Sequence, residues 1–268
     1  MIEGIAVGII QGITEWIPIS SEGMIMLAEV NFFGKTGVEE IIHFALFLHL
    51  GTLVAALVYL RKDISKTFMS LVRYSASSRD EKNVLHFLVV STAISGVLGL
   101  TLLKLLGEFE QYVELSGRTL TAGVGVLLLF TAWLQIVKKE EKTLRSMGEV
   151  TLRDSIILGI AQGLAVLPGL SRSGLTISAL LIRGIEDEAA LRLSFLMSIP
   201  IVFLGNIVLN FDMLRNLESA STTSLWGLVS SFIFGLATIH LLIKFSRKIN
   251  FGYFVGFFGL LMVLASFV

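Results

Sequence analysis

The chain has no cysteine and only three prolines, and charged residues make up just 16% of it. Without thiols there is no disulfide framework, no thiolate catalyst and no Cys-based metal site. The low charge excludes an ordinary soluble domain, where about a quarter of the residues are charged, although 268 residues would suffice for one. Neither sign of charge prevails. The 21 basic and 21 acidic residues balance, which leaves no case for a nucleic-acid partner. The opening stretch MIEGIAVGIIQG carries Glu3 where a signal peptide carries Lys or Arg, and no small-residue cleavage site follows it, so it reads as mature protein.

Apolar residues are 54% of the sequence, mean hydropathy is +0.82, and they come in blocks. Residues 41–60, 83–103, 119–137, 193–211, 219–243 and 249–268 contain no Asp, Glu, Lys or Arg. About 20 apolar residues of helix cross a hydrocarbon core of ~30 Å, so six membrane spans are expected. Two further apolar segments are interrupted. Glu15, Pro18 and Glu22 break residues 4–28, and Pro168 and Arg172 break residues 155–182. A charge facing lipid costs at least about 2.5–3.5 kcal/mol, and broken helices are tolerated where protein or a wet cavity receives them. Both segments therefore read as re-entrant hairpins, helix–break–helix.

The two hairpins are versions of each other. A gapless shift of 151 residues lays GIIQGITEWIPISSEG (8–23) on GIAQGLAVLPGLSRSG (159–174). It pairs Gly8 with Gly159, Gln11 with Gln162, Gly12 with Gly163, Ser20 with Ser171 and Gly23 with Gly174. With three spans after each hairpin, the second half must insert upside down. Loop charge agrees. With the 61–82 loop in the cytoplasm, sixteen of the 21 basic residues fall in cytoplasmic loops and four in outer ones, Arg172 being the last. The expected fold is an all-α polytopic membrane protein with an inverted-topology repeat, each half one re-entrant hairpin plus three transmembrane helices. The first repeat is 1–137, with its hairpin at 4–30 and spans near 41–60, 83–103 and 119–137. The second is 138–268, with its hairpin at 154–183 and spans near 193–211, 221–243 and 249–268. Together they form one integrated membrane domain, multi-pass in the cell membrane.

Candidate chemistry lies in the breaks. In LPGLSRSGLTIS (167–178), Arg172 is the one basic residue deep in an apolar segment. Ser171, Ser173 and Thr176 bring hydroxyls beside it, and Gly169 and Gly174 let backbone approach a ligand. A helix starting near Ser171 would aim free N–H groups at an anion. Guanidinium, hydroxyls and a helix N-terminus together suit a phosphate. In TEWIPISSEGM (14–24), Ser20 and Ser21 precede a second helix that opens with Glu22. Glu15 is buried in apolar text, where it would pair with Arg172, coordinate a divalent cation or act as acid/base. Gln11 shares its helical face. His43, His49, His86 and His240 fit no metal-ligand spacing and read as helix-to-helix hydrogen-bonding groups. Gly34-Lys35-Thr36 lacks the earlier glycine of a P-loop, and Gly169–Gly174 is one residue too long for a nucleophile elbow.

At these residues the chain resembles the undecaprenyl pyrophosphate phosphatase family, the membrane enzymes once named for bacitracin resistance. One signature is the Glu/Gln-x-x-x-Glu motif, here Gln11 to Glu15, running on to Pro18 and Ser20-Ser21-Glu22-Gly23. The other is P-G-x-S-R-S-x-x-T, here Pro168, Gly169, Ser171, Arg172, Ser173 and Thr176. HLGTLVAALVYLR (49–61) and SFLMSIP (194–200) also resemble family text. The resemblance implies removal of the terminal phosphate from a long-chain polyprenyl diphosphate, often with a divalent cation such as Mg or Ca. By position it makes Ser21 the nucleophile or its neighbour and Arg172 the clamp on the transferred phosphoryl group. Glu15 becomes the acid/base or the metal ligand, and Gln11, Ser20, Gly169, Ser171, Ser173, Gly174 and Thr176 line the substrate. The expected partners are the polyprenyl diphosphate and the surrounding membrane lipids; a homodimer is compatible with the sequence and not required by it.

Family members usually carry a histidine after the Ser pair, in a Gly-His unit, whereas here Gly23 is followed by Met24. A thioether neither takes nor delivers a proton. Either Glu22 or Glu15 substitutes as base, or hydrolysis is slow, or the lipid phosphate is bound uncleaved. The competing reading is a transporter or flippase of a lipid-linked phosphate or other anion, using the same inverted-repeat site.

Overall fold

The computed structural model describes residues 1–35, 38–109, 144–167, 170–209, 222–246 and 251–267, with residues 122, 123, 125, 126, 128–130, 132, 133 and 136. Among these the chain is helical, and the one extended contact is a parallel bridge between Arg145 and Ile185. The first half contains α1 (Ile2–Thr14), α2 (Ser21–Phe33), α3 (Val38–Tyr59), α4 (Arg61–Val72) and α5 (Arg79–Phe109). The second contains α6 (Leu152–Leu164), α7 (Arg172–Ile182), α8 (Asp187–Leu209), α9 (Thr222–Ser246) and α10 (Phe251–Ala265).

Four stretches are long and apolar enough to cross a membrane: Glu40–Tyr59, Arg79–Leu105, Asp187–Val208 and Thr222–Ser246. They match four of the six expected spans. Two begin earlier than the charge-free runs because Asp80, Glu81, Asp187 and Glu188 occupy first turns, where carboxylates favour the positive end of the helix dipole. The expected sixth span is α10, 15 residues long and so only about 22 Å. Of the expected third span, 119–137, nine residues lie outside the described ones, and the described ones are helical. Outward faces are apolar, as Val89 and Val97 on α5 and Ile233 on α9 show. Water would penalise such surfaces and lipid would not.

Both short helix pairs break for local reasons. Pro18 has no amide N–H and disfavours helical backbone at Ile17, so α1 stops at Thr14. Ser20 then turns extended and caps α2, its Oγ accepting from the Gly23 amide at 3.2 Å. Ser171 caps α7 in the same way, accepting from the Gly174 amide at 3.1 Å. The paired serines and glycines are thus one capping device used twice.

The glycines paired by the shift serve close packing. Helix α1 lies along α9, and α6 lies along α5. A Cβ on Gly8 would collide with the Gly227 carbonyl, and one on Gly12 would lie 2.7 Å from the Gly235 amide nitrogen. One on Gly159 would lie 2.7 Å from Ile94 Cβ. The first helix of each pair therefore packs, backbone-close, on a long helix of the opposite half. Cores around Trp16, Leu158, Ile177 and Phe195, and around Val7, Ile25 and Phe47, fill the remaining space.

The start of α6 is held by a polar knot. Buried Asp154 accepts from Arg145 at 2.9 and 3.2 Å, from Arg183 Nε at 2.7 Å and from Thr151 Oγ1 at 2.7 Å. Arg145 also donates to the Arg183 carbonyl at 2.6 Å, fastening the end of α7 beside the start of α6. Burial opposes ionisation of Asp154, but the hydrogen bonds from Arg145, Arg183 and Thr151 outweigh it and hold the carboxyl well below the usual carboxylate range.

Two outcomes are expected. Gly8→Ala should cost about 1–3 kcal/mol through overpacking, whereas Gly96→Ala, with nothing within 4 Å of the new methyl, should gain up to ~1 kcal/mol of helix propensity. Thermal unfolding in detergent reads both. Because the Asp154 pKa is depressed on folding, its stabilisation is complete above the unfolded value of ~4 and disappears as pH falls through the folded one. The gap in Tm between wild type and Asp154→Asn should stay constant from pH 7 to about pH 4 and narrow only below it; narrowing near neutrality would contradict the depressed pKa.

Candidate functional site

The two helix breaks meet at Glu15. This residue caps the end of α1, its amide on the Gln11 carbonyl at 3.0 Å, and its side chain is buried. Oε1 accepts from Arg172 Nη2. Oε2 accepts from Gln11 Nε2 at 3.1 Å and from Ser21 Oγ at 3.1 Å, and it faces His49 Nε2 at 3.1 Å. One carboxylate therefore gathers a guanidinium, an imidazole, an amide and a hydroxyl from α1, α2, α3 and α7.

Arg172 is the first residue of α7. A cation there opposes the helix dipole, so the position calls for an anion, which Glu15 supplies. The guanidinium lies over the Trp16 ring at 5.7 Å from its centroid and reaches the Ser194 carbonyl through Nη1 at 3.4 Å. Trp16 is fixed edge-on against Phe195 at 4.8 Å. Ser173 Oγ donates to the Ile17 carbonyl at 2.8 Å and so ties the second break to the first.

Of the sequence candidates, Gln11, Glu15, Ser21 and Arg172 form a single hydrogen-bonded cluster, with Ser173 beside it. Ser20 and Ser171 cap their helices, and the Gly174 amide is the donor to Ser171. Thr176 is fully buried, bonded to Ser194 Oγ at 2.7 Å and to the Arg172 carbonyl at 2.9 Å. Gly169 lies outside the described residues. Glu22 is exposed in the first turn of α2.

In the substrate-free arrangement both Glu15 oxygens are engaged, two of the partners being basic side chains, and among the described residues no three His, Asp or Glu side chains converge. One expectation changes: the residue that stands on the carboxylate as a histidine is His49. Met24 is 40% exposed, while His49 comes from α3, far away in sequence. Two of the other histidines do bond between elements, His86 to Tyr74 at 3.0 Å and His240 to Tyr59 at 3.4 Å. Sequence reasoning also passed over Ser194 and Trp16. The available signal was that His49 and Ser194 each open a stretch of family-like text.

The family model described as "Bacitracin resistance protein BacA" matches residues 4–264. The chain belongs to this family. Similar proteins include three named undecaprenyl-diphosphatase. That of Methanococcoides burtonii is 43% identical over 99% of this chain and 98% of its own. That of Haloarcula marismortui is 38% identical over 98% and 96%. That of Methanothrix thermoacetophila is 34% identical over 97% and 94%. With family membership and four apolar helices, the chain is an integral membrane protein.

Breaking a buried pair costs more than removing it whole, about 3–5 kcal/mol for one partner lost. Glu15→Gln and Arg172→Gln should each lower Tm in detergent, and the double variant should lose clearly less than their sum. Additive losses would mean that the two charges do not compensate each other.

Proposed function

We propose that this chain hydrolyses the terminal phosphate of an undecaprenyl-type diphosphate, giving inorganic phosphate and the monophosphate lipid carrier. The relatives' names support the substrate class, and one observation carries the chemistry. A buried carboxylate holds a serine hydroxyl on one oxygen and an arginine at a helix N-terminus on the other. Substrate-free, Glu15 occupies the anion's place beside Arg172. When the diphosphate arrives, Arg172 turns its remaining N–H groups, with the first amides of α7, to the terminal phosphoryl oxygens. Ser21 Oγ attacks phosphorus, and its proton passes to Glu15 Oε2. The bond from phosphorus to the bridging oxygen breaks, and its electron pair leaves with the polyprenyl monophosphate. Water then hydrolyses the phosphoserine. Positioning and charge neutralisation supply most of the acceleration.

A divalent cation belongs, in this reading, to the substrate. It would arrive on the diphosphate oxygens, as hard cations with few protein ligands do, and no step here is routed through it.

The same proposal covers the architecture: an inverted repeat of 1–137 and 138–268, multi-pass in the cell membrane, with two re-entrant hairpins. Helices α1 and α6 have 13 residues each and are about 20 Å long, too short to cross a core of ~30 Å. The crosswise packing of α1 on α9 and α6 on α5, the twin serine caps and the sixteen-to-four loop charge support it as well.

Purified protein in detergent should release inorganic phosphate from undecaprenyl diphosphate, with EDTA reporting on the cation. Arg172→Lys should fall about 10²–10³-fold in turnover, because a point charge cannot replace the bidentate fork. No release with any divalent cation would favour the transporter, which needs two compartments where hydrolysis needs none.

A further inference from the structure

His49 is the titratable side chain in contact with Glu15 that the hydrolysis scheme leaves without a task. It lies within α3, almost fully buried. Its Nδ1 is 2.7 Å from the Ala45 carbonyl. A carbonyl only accepts, so Nδ1 carries a hydrogen in either charge state of the ring. The ring is thereby oriented and its working nitrogen is Nε2, 3.1 Å from Glu15 Oε2. Two bare lone pairs at that distance would repel. One proton therefore lies between them, on the nitrogen or on the oxygen. The oxygen that shares this proton is the one bonded by the Ser21 hydroxyl at 3.1 Å.

We propose that His49 is a positioning residue that acts through Glu15, its shared proton keeping the carboxylate oriented and compensated once Arg172 turns to the phosphoryl group. Before substrate binds, Glu15 has two basic neighbours, Arg172 on Oε1 and His49 on Oε2. Losing the first to the phosphate would strand a buried carboxylate, at a cost that a single remaining cation can offset. The protons balance through the cycle. The Ser21 Oγ–H bond breaks and an Oε2–H bond forms, so the dyad holds one proton before attack and two after it. When water cleaves the phosphoserine, the Oε2 proton returns to Ser21 Oγ. One water proton stays on the inorganic phosphate and the other passes to solvent. The ionisable group in contact with the ring is Glu15 from the end of α1, with Arg172 of α7 acting across Glu15 and the charge of Glu22, exposed in the first turn of α2, acting from further off.

This inference rests on the hydrolytic reading, and two measurements on the full chain in detergent keep them separable. The first follows undecaprenyl diphosphate hydrolysis against pH in wild type and His49→Gln, with Tm confirming the fold. Glutamine can still donate to Glu15 but holds no labile proton. We expect kcat to fall about 10²-fold, the low end for a positioned proton carrier, with KM nearly unchanged. The alkaline limb of the kcat profile, where the shared proton is lost, should move or vanish. A folded His49→Gln with wild-type kcat overturns the proposal, as does one with lower kcat and an unaltered profile. The second is NMR of ring-nitrogen-labelled histidine, which needs no turnover. The Nε2 signal of His49 should show a shared proton that Glu15→Gln abolishes, and a signal indifferent to Glu15→Gln overturns the dyad. Wild type that shows the shared proton yet releases no phosphate would remove the hydrolase reading and, with it, the catalytic use of the dyad, leaving the dyad itself in place.

Discussion

Everything at the centre of this molecule depends on keeping one carboxylate charged where there is little water. Glu15 sits in apolar text, and an isolated carboxylate there would lose its charge rather than bear the desolvation cost. Four polar groups converge on it instead: Arg172, Gln11 and Ser21 donate to it, and His49 shares a proton with it. They come from four helices, so the carboxylate also works as a clasp. α1, α2, α3 and α7 cannot separate without uncovering it. In the proposed reaction the stability of the centre and its reactivity would be one arrangement, since a buried charge pair is weak evidence of stability alone.

The clasp closes only because the two breaks face each other, and that follows from glycine. Gly8 and Gly12 let α1 lie backbone-close on α9, and Gly159 and Gly163 let α6 lie close on α5. Each short helix is therefore positioned by the opposite half of the chain. With α6 and α7 also fastened at their far ends by Asp154, Arg145 and Arg183, the N-terminus of α7 has little freedom. In the proposed reaction a guanidinium that meets a phosphoryl oxygen would gain from that restriction, since misplacement by a fraction of an ångström already weakens a charged hydrogen bond.

What the sequence made legible was whatever is local. Gln11 and Glu15 are one turn apart, so their contact follows from helical spacing alone. Ser20 and Ser171 announce themselves as caps, and Pro18 announces a break. Arg172 stands out because no other basic residue interrupts an apolar segment. Contacts between distant segments were not legible. His49 lies 34 positions beyond Glu15, inside a run (41–60) without Asp, Glu, Lys or Arg, and its ring finds Oε2 only after α3 packs against the first hairpin. Asp154 reads as a helix-capping residue, its partners Arg145 and Arg183 as ordinary loop charge, until folding joins them. Span number was legible in part: hydropathy registers apolar length, and four of the six apolar runs are helices long enough to cross a membrane.

The repeat also explains why the chemistry is lopsided. Shifting by 151 residues lays Ser21 on Arg172 and Glu15 on Val166. The shared frame, meaning the serine cap, the glycine contacts and the buried glutamine, is the same in both hairpins. The reactive groups are not. Gln11 donates to a carboxylate, whereas its counterpart Gln162, with no carboxylate after it, donates to Ser95 Oγ at 3.1 Å. At the first position of each following helix, one half offers a hydroxyl and the other a guanidinium. Two identical halves would present two arginines or two carboxylates across the meeting point, and like charges in so dry a place would force one of them to neutralise or withdraw. Unlike residues at two positions of the recurring frame replace that repulsion with an ion pair that has a hydroxyl beside it, and this pairing of unlike groups is what would suit the centre to the anion chemistry proposed for it.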